Sequence, residues 1–296
     1  MRHMEITLAL GGGGAKGNAH IGVLRRLENE GYKITAVAGT SFGGLIAILY
    51  AVGYSPKEIQ TAFEMVEQKT LYHRTQQDGP SLMGMGGVRH FLDKLLGDKT
   101  FEDTRIPCAV TAVDINSGQE VILSEGSLKQ AVLATIALPG IFPVQIVNGW
   151  NLVDGGVLNP VPVSVARNMN PSLPVVAVVL NDPMDKPVRG YNLPIPGIVP
   201  RPIAERLARI SLAHVMDIFL RSVDVSSRAV SYLRLQVDRP EVLVRPAVHH
   251  IELLDQVIVA EVAQLGEDAM EKALPQLRHE TAWLTRLGRA FSGASR

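Results

Sequence analysis

ITAVAGTSFGGLIAILYAV, residues 34–52, contains an apolar run, a tight glycine-rich turn and a second apolar run. The first run, Ile34–Ala38, predicts a buried strand, and the second, Leu45–Val52, predicts an apolar helix. Between them, Gly39-Thr40-Ser41-Phe42-Gly43 matches G-x-S-x-G, in which a serine at a strand-to-helix turn presents its hydroxyl. The stretch therefore predicts an α/β fold with a nucleophilic Ser41. The simpler alternative is a helix-capping serine in an ordinary strand-to-helix loop.

The segments on either side continue the alternation of strand and helix. Ile6–Leu10 predicts a strand that a glycine cluster ends, and a helical pattern then runs from Ala15 to Gly31. Short links of this kind predict parallel strands with right-handed crossovers. Further along, the pattern predicts strands over Cys108–Ile115, Asn151–Val153, Pro174–Leu180 and Val242–Val244, and helices from Ser55 to about Tyr72, over Leu128–Thr135, from Ile203 to about Tyr232 and from Ile251 onward.

Length and composition restrict the class of protein. The chain has 296 residues, 46% of them hydrophobic, which suffices for a sizeable core. We expect one domain over residues 1–296, with a proline-rich, lid-like segment near 183–202 and a helical C-terminal region. The formal net charge is +0, so no nucleic-acid partner is expected. With a single cysteine, no secretory signal pattern and no apolar run near the roughly 20 residues that span a bilayer, the sequence predicts a cytoplasmic protein.

A glycine-rich loop, Gly12-Gly13-Gly14-Ala15-Lys16-Gly17, follows the first predicted strand. Its spacing also fits a dinucleotide-binding loop, but that fold requires an acidic residue about 20 positions further on, near the end of the second strand. Val37–Ser41 contains neither Asp nor Glu, so a nucleotide cofactor is not expected. The alternative use of such a loop is an oxyanion hole, in which backbone N–H groups bind the oxygen of a tetrahedral intermediate.

A nucleophilic serine also needs a proton acceptor. The histidines that follow Asp154 lie in or beside helical stretches, and each is better explained as a surface residue: His214, His249, His250 and His279. Asp154 instead follows an apolar stretch and precedes Gly155-Gly156, which allow a tight turn toward another loop. An ordinary Asp-Gly turn is the competing explanation.

Three motifs in this order resemble the patatin-like phospholipases, specifically their small bacterial branch: the glycine-rich loop, the serine turn and Asp154-Gly155-Gly156. The resemblance covers most of the chain and implies a three-layer α/β/α sandwich with a mainly parallel central sheet. It also implies a dyad in which Ser41 is the nucleophile and Asp154 its base. The implied oxyanion hole consists of Gly12, Gly13 and Gly14, and the supporting motif positions are Ala15, Lys16, Gly17, Gly39, Gly43, Gly155 and Gly156.

The resemblance implies hydrolysis of lipid carboxylic esters through an acyl-enzyme, of phospholipase A, lysophospholipase or esterase type. Two alternatives stay open: an acyltransferase that uses the same serine, and a non-catalytic regulator that keeps the fold. The expected partners are a lipid ester and, transiently, a membrane surface, with neither cofactor nor metal. Thr135 stands where the family often has serine, and we interpret that position as structural. Candidate walls of an acyl-chain groove are Leu82–Met85, Tyr191–Val199 and Ile203–Phe219.

Overall fold

The computed structural model describes residues 4–67, 70–76, 78–183 and 203–282, and for 203–217 it describes the helical backbone alone. The lid-like segment predicted near 183–202 lies outside the described residues from 184 onward. The same holds for the groove candidate Tyr191–Val199 and for the chain after residue 282.

One eight-stranded sheet lies at the centre of the described fold. Its strands are β1 (Met4–Leu10), β2 (Tyr32–Thr40), β3 (Cys108–Asp114), β4 (Glu120–Leu123), β5 (Gln145–Val147), β6 (Trp150–Asp154), β7 (Val175–Val178) and β8 (Val242–Val244). Seven strands follow the order β5-β6-β3-β2-β1-β7-β8, and β4 pairs with β3 off this path. Strands β3, β2, β1, β7 and β8 are mutually parallel, whereas β4, β5 and β6 pair antiparallel at one edge. The predicted α/β fold with a mainly parallel centre is confirmed.

Helices cover both faces of the sheet. They are α1 (Ala19–Asn29), α2 (Phe42–Val52), α3 (Pro56–Glu64), α4 (Gly86–Leu96), α5 (Leu128–Thr135), α6 (Val163–Met169), α7 (Ile203–Asp238) and α8 (Val259–Thr281). Alternate side chains of β1 enter two separate cores. Leu8 and Leu10 pack with α1, α2, α5 and α8, while Ala9 packs with α6 and with Leu235 of α7. The strands therefore form the middle of three layers.

Helices α1 and α8 pack with unusually close backbones. A Cβ on Gly22 of α1 would collide with the Ala263 carbonyl, and a Cβ on Gly266 of α8 would collide with the Ala19 carbonyl. Glycine at both positions therefore allows the close approach. The last described helix is thus packed against the helix that follows the glycine-rich loop.

The end of α3 differs from the prediction. The capping box at Ser55 is present, as the sequence pattern indicates, but the helix ends at Glu64 rather than near Tyr72. Met65, the first residue after the helix, is 80% exposed, so the buried face that stabilises the helix does not continue at this residue.

The start of α8 also differs. The helix predicted from Ile251 begins at Val259. The preceding segment is held as a loop because the Leu253 carbonyl accepts the Ala15 N–H instead of an intrahelical donor. The strand β5 and the helix α6 were not predicted, since both are short, with three and seven residues.

Candidate active site

Ser41 lies at the turn between β2 and α2 with φ 54° and ψ −129°. A positive φ is uncommon for a residue other than glycine, and it persists only where surrounding contacts hold it. The turn is compact, because a Cβ on Gly39 would collide with the Gly43 carbonyl and a Cβ on Gly43 would collide with the Leu10 carbonyl. Close backbone approach therefore requires glycine at both ends of the serine motif.

The Ser41 hydroxyl donates a hydrogen bond to Asp154 Oδ2, with 2.6 Å between the two oxygens. Asp154 Oδ1 accepts the Gly156 N–H at 2.7 Å. The Asp154 side chain is buried, and burial raises its pKa to about 6, while the hydrogen bonds from Ser41 and Gly156 act in the opposite direction. A carboxylate with this pKa is ionised at neutral pH and still basic enough to accept the serine proton.

The register of β3 explains why these two residues meet. Thr111 of β3 pairs with Thr40, the last residue of β2, and the next β3 residue, Ala112, pairs with Asp154, the last residue of β6. Because β4 pairs with β3 across both positions, β2 and β6 must share the opposite edge of β3. β2 is parallel to β3 and β6 is antiparallel, so the carboxyl ends of β2 and β6 face each other. Ser41 therefore begins its turn where Asp154 ends its strand.

The glycine-rich loop lies beside the serine. A Cβ on Gly12 would be 3.1 Å from the Ser41 Cβ. The Gly12 N–H donates to the Pro160 carbonyl at 2.9 Å and is already engaged. Within the described parts of the chain, the Gly13 and Gly14 N–H groups donate to no protein acceptor. These two groups, rather than all three, are available to a bound oxyanion.

Several contacts fix the shape of this loop. Gly14 has φ +54°, and a Cβ there would collide with the Leu253 carbonyl. That carbonyl accepts the Ala15 N–H at 2.8 Å. Gly17 faces the Phe42 ring so closely that a Cβ would overlap the ring. The loop is thus packed between the segment before α8 and the first residue of α2.

Lys16 belongs to a network of charged side chains that are largely buried. Its Nζ lies 3.6 Å from Asp182 Oδ2, and Arg228 Nη2 lies 3.2 Å from the same oxygen. Arg228 also pairs with Asp224 at 2.6 Å. These pairs connect the glycine-rich loop to the segment after β7 and to α7. Ion pairs with both partners largely desolvated are costly to break, so the network restrains the loop.

The glycines after Asp154 have separate roles in the packing. A Cβ on Gly155 would collide with Thr111, whereas Gly156 supplies the N–H for Asp154 Oδ1. Together they let the chain turn directly behind the carboxylate.

Two further residues contact the site: Thr135, whose position the sequence indicated to be structural without its contact to Ser41, and His20, which the sequence did not indicate. Thr135 Oγ1 accepts the Ser41 N–H at 2.9 Å, a contact between residues 94 positions apart for which no local pattern exists. His20 is fully buried, and its Nε2 donates to the Gly11 carbonyl at 2.8 Å. Burial lowers the His20 pKa to about 4, so the ring is neutral and supports the strand end before the glycine-rich loop.

The histidines that follow Asp154 are exposed wherever their side chains are described. His249 and His250 are exposed, His279 is exposed, and the His214 side chain lies outside the described residues. Among the described side chains, Asp154 is the one that is hydrogen bonded to the Ser41 hydroxyl. The same part of the chain contains no group of three His, Cys, Asp or Glu side chains that could hold a metal ion.

The apolar surroundings differ from expectation. Met83 and Met85 are buried in the core, so these two residues do not form a lipid-facing surface. Aromatic rings instead lead away from the nucleophile turn: Phe42 and Phe63 have ring centroids 5.3 Å apart, and Phe63 and Phe91 have centroids 5.5 Å apart. None of the described helices is both long and apolar enough to cross a membrane.

Comparison with solved structures gives a likeness in fold. VipD from Legionella pneumophila superposes with a TM-score of 0.54 at 14% identity, covering 93% of this chain and 67% of that chain. At this identity the likeness concerns the arrangement of helices and strands alone.

Sequence comparisons are more specific. An uncharacterized NTE family protein of Mycobacterium tuberculosis is 34% identical over 188 residues, which cover 62% of this chain and 51% of the relative. Patatin-like phospholipase domain-containing protein 6 of Homo sapiens is 34% identical over 171 residues, covering 55% of this chain and 12% of that protein. The chain thus spans about half the length of the mycobacterial relative. A model of the patatin-like phospholipase family matches residues 8–167, more than half of the chain and including Ser41 and Asp154. The chain belongs to the patatin-like phospholipase family.

Proposed function

We propose that the protein is a serine acyl hydrolase that cleaves lipid carboxylic esters with a Ser41–Asp154 dyad. The observation that carries this proposal is the 2.6 Å hydrogen bond from the Ser41 hydroxyl to a buried carboxylate. The serine lies at a strained strand-to-helix turn, as nucleophilic serines of α/β hydrolases do. Family membership supports the lipid ester as the class of substrate.

The dyad carries both halves of the reaction. Asp154 Oδ2 takes the hydroxyl proton as Ser41 Oγ attacks the ester carbonyl, and a tetrahedral intermediate forms with its negative oxygen toward Gly13 and Gly14. Collapse of the intermediate breaks the bond to the leaving alcohol, and protonated Asp154 returns the proton to that alcohol. Water then attacks the acyl-enzyme, again with Asp154 as base, and releases the fatty acid and free Ser41.

The raised Asp154 pKa fits this cycle. The residue must be unprotonated to start each half-reaction and protonated to finish it, and a pKa of about 6 makes both states accessible near neutral pH. Phe42 directly follows Ser41 and its ring packs against Phe63, so we propose these two rings as part of the apolar wall for an acyl chain. We propose that the protein meets its lipid substrate at a membrane surface. That residues 1–296 form a single catalytic domain remains a prediction, as does a cytoplasmic location.

A fluorophosphonate probe, which reacts with activated serines, tests the proposal. We expect the wild type to be labelled and Ser41→Ala to remain unlabelled, while Ser172→Ala, which changes an exposed serine, is labelled like the wild type. The second measurement is fatty acid release from phospholipid, lysophospholipid and simple ester substrates, with and without an added alcohol. Absence of labelling in the wild type would favour a non-catalytic regulator, and acyl transfer in preference to release would identify an acyltransferase.

A further inference from the structure

The backbone N–H groups of both dyad residues are held by one short segment at the end of α5. The Ser41 N–H donates to Thr135 Oγ1, and the Asp154 N–H donates to the Ala137 carbonyl, each at 2.9 Å. Ser41 and Asp154 are 113 positions apart in sequence. The segment from Thr135 to Ala137 therefore fixes one dyad residue with respect to the other.

The Thr135 hydroxyl has a defined orientation. It donates its single proton to the Thr111 carbonyl at 2.7 Å, so that a lone pair is left to accept the Ser41 N–H. Thr135 is completely buried, so bulk solvent cannot supply another partner for either group. Gly44 of α2 packs against the same side chain, where a Cβ would be 2.9 Å from Thr135 Cγ2. The contact is thus enclosed on the α2 side as well.

A second pair of threonines fixes the strand end before the serine. Thr40 Oγ1 donates to the Asn159 carbonyl at 2.8 Å, so Thr111 Oγ1 must be the donor in its 2.7 Å contact with Thr40 Oγ1. Both hydroxyls are completely buried. Thr111 therefore connects Thr40, through its side chain, with Thr135, through its carbonyl.

The hydrogen bond to Thr135 has two effects on Ser41. It opposes relaxation of the strained backbone, which has a positive φ at Ser41. It also occupies the Ser41 N–H, so the nucleophile's own amide is not an oxyanion donor. The Gly13 and Gly14 N–H groups, which donate to no protein acceptor within the described parts of the chain, remain the proposed oxyanion donors.

We propose that Thr135 is a positioning residue for the nucleophile. Its hydroxyl holds the Ser41 backbone in the conformation that directs the Ser41 Oγ to Asp154, without touching the substrate or the reacting atoms. This inference rests on the proposed hydrolase function and assigns a residue that the motifs do not contain.

Thr135→Val is the direct test, because valine keeps the shape and removes the hydroxyl. The change leaves the Ser41 N–H and the Thr111 carbonyl without their partner and allows the turn to relax. Since small displacements of reacting groups cost up to about 100-fold in rate, we expect kcat for a short-chain ester to fall about 10- to 100-fold with KM unchanged. Thr135→Ser, which restores a hydroxyl, is expected to recover most of the wild-type kcat.

The pH profile separates positioning from a general loss of stability. The Ser41 hydroxyl lowers the pKa of Asp154 through their hydrogen bond. If the turn relaxes in Thr135→Val and this bond weakens, the acidic limb of kcat/KM moves to higher pH. In a variant that is merely less stable, kcat/KM falls at every pH, and the acidic limb stays at the same pH.

Thr7→Val is the matched control. Thr7 is also completely buried in the sheet, and its hydroxyl has no partner among the described residues, so kcat should not change. Thr135→Ala is a second variant that removes the hydroxyl without adding bulk, and folding of each variant is checked by circular dichroism.

Wild-type kcat in a folded Thr135→Val or Thr135→Ala would overturn the inference, as would equal losses in Thr135→Ser. Failure of both hydroxyl-free variants to fold would also overturn it, because Thr135 would then be a folding requirement. These outcomes leave the proposed function standing if the wild type hydrolyses the ester. An inactive wild type would instead refute the proposed function and this inference with it.

Discussion

The Gly12 N–H and the Pro160 carbonyl are joined by a 2.9 Å hydrogen bond. Because this contact engages the Gly12 N–H, two of the three glycine N–H groups, those of Gly13 and Gly14, can bind a substrate oxygen. This contact also connects the loop to the chain that follows Asp154, so the proposed oxyanion donors and the proposed base are parts of one connected region.

The first prediction concerns the oxyanion donors. In a crystal structure of a phosphonate adduct on Ser41, we expect the phosphonyl oxygen within about 2.7–3.1 Å of the Gly13 and Gly14 nitrogens, the range for effective oxyanion donors. The Gly12 nitrogen should keep its bond to Pro160. An adduct oxygen bound by Gly12 instead would contradict the assignment.

The second prediction concerns the base. Asp154→Asn should lower kcat by about 10²- to 10⁴-fold, the usual contribution of a general base. The fold should persist, because the amide oxygen can still accept the Gly156 N–H. Asp114→Asn is the matched control, since Asp114 is a nearly buried aspartate of the same sheet whose carboxylate accepts the Ser117 and Asn151 N–H groups. Equal activity of Asp154→Asn and the control would refute the dyad.

The third prediction concerns the pH dependence of activity. Because Asp154 must be ionised to accept the serine proton and its pKa is about 6, kcat/KM should rise with pH and level off above about 7. A stopped or continuous ester assay between pH 4 and 8 measures this acidic limb of the kcat/KM profile. An acidic limb centred near pH 4 would mean that burial does not raise the pKa of the Asp154 carboxylate.

The fourth prediction links the same pKa to stability. Folding raises the Asp154 pKa from its ordinary value of 3.8 to about 6, so the folded state holds the proton more tightly than the unfolded state. Between these values the contribution of Asp154 to stability falls as pH rises, and above both it is unfavourable by about 3 kcal/mol. Asp154→Asn should therefore gain stability relative to the wild type at pH 8 and much less at pH 4. Denaturant unfolding at the two pH values measures this difference.

The fifth prediction concerns the contact between α1 and α8. Gly22→Ala or Gly266→Ala should destabilise the fold by about 1–3 kcal/mol, because the added Cβ meets a backbone carbonyl that cannot move alone. Gly79→Ala is the control, since a Cβ there meets nothing within 4 Å. Thermal unfolding compares the three variants. Equal unfolding midpoints for the three variants would show that α1 and α8 can move apart to accommodate the added methyl group without loss of stability.

Local signals in the sequence were sufficient to predict the strand, turn and helix around Ser41. Apolar runs bounded by glycine predict β2 and α2, and the spacing of Gly39 and Gly43 about Ser41 reflects a close backbone approach that only glycine allows. Such features involve neighbours in the chain, so a pattern in the sequence can contain them.

The position of Asp154 beside Ser41 depends on information that is not local. It requires β2 and β6 to share one edge of β3, a register set by strands far apart in sequence. From the residues alone, an ordinary Asp-Gly turn is the better explanation of Asp154, and the resemblance to a family is what assigns it as a base. Thr135 shows the same difficulty, since its hydroxyl acts on a residue 94 positions away.

The close contact of α1 with α8 has a consequence for the stability of the matched segment. The family match ends at residue 167, yet α8 lies at 259–281 and fits against α1 with no space for a single added methyl group at Gly22 or Gly266. In this chain, α1 lies inside the family match and α8 lies outside it, so part of the surface of the matched segment is covered by a helix that the match does not contain. Residues 8–167 expressed alone are therefore expected to expose the face of α1 that α8 covers, and to be less stable than the full chain.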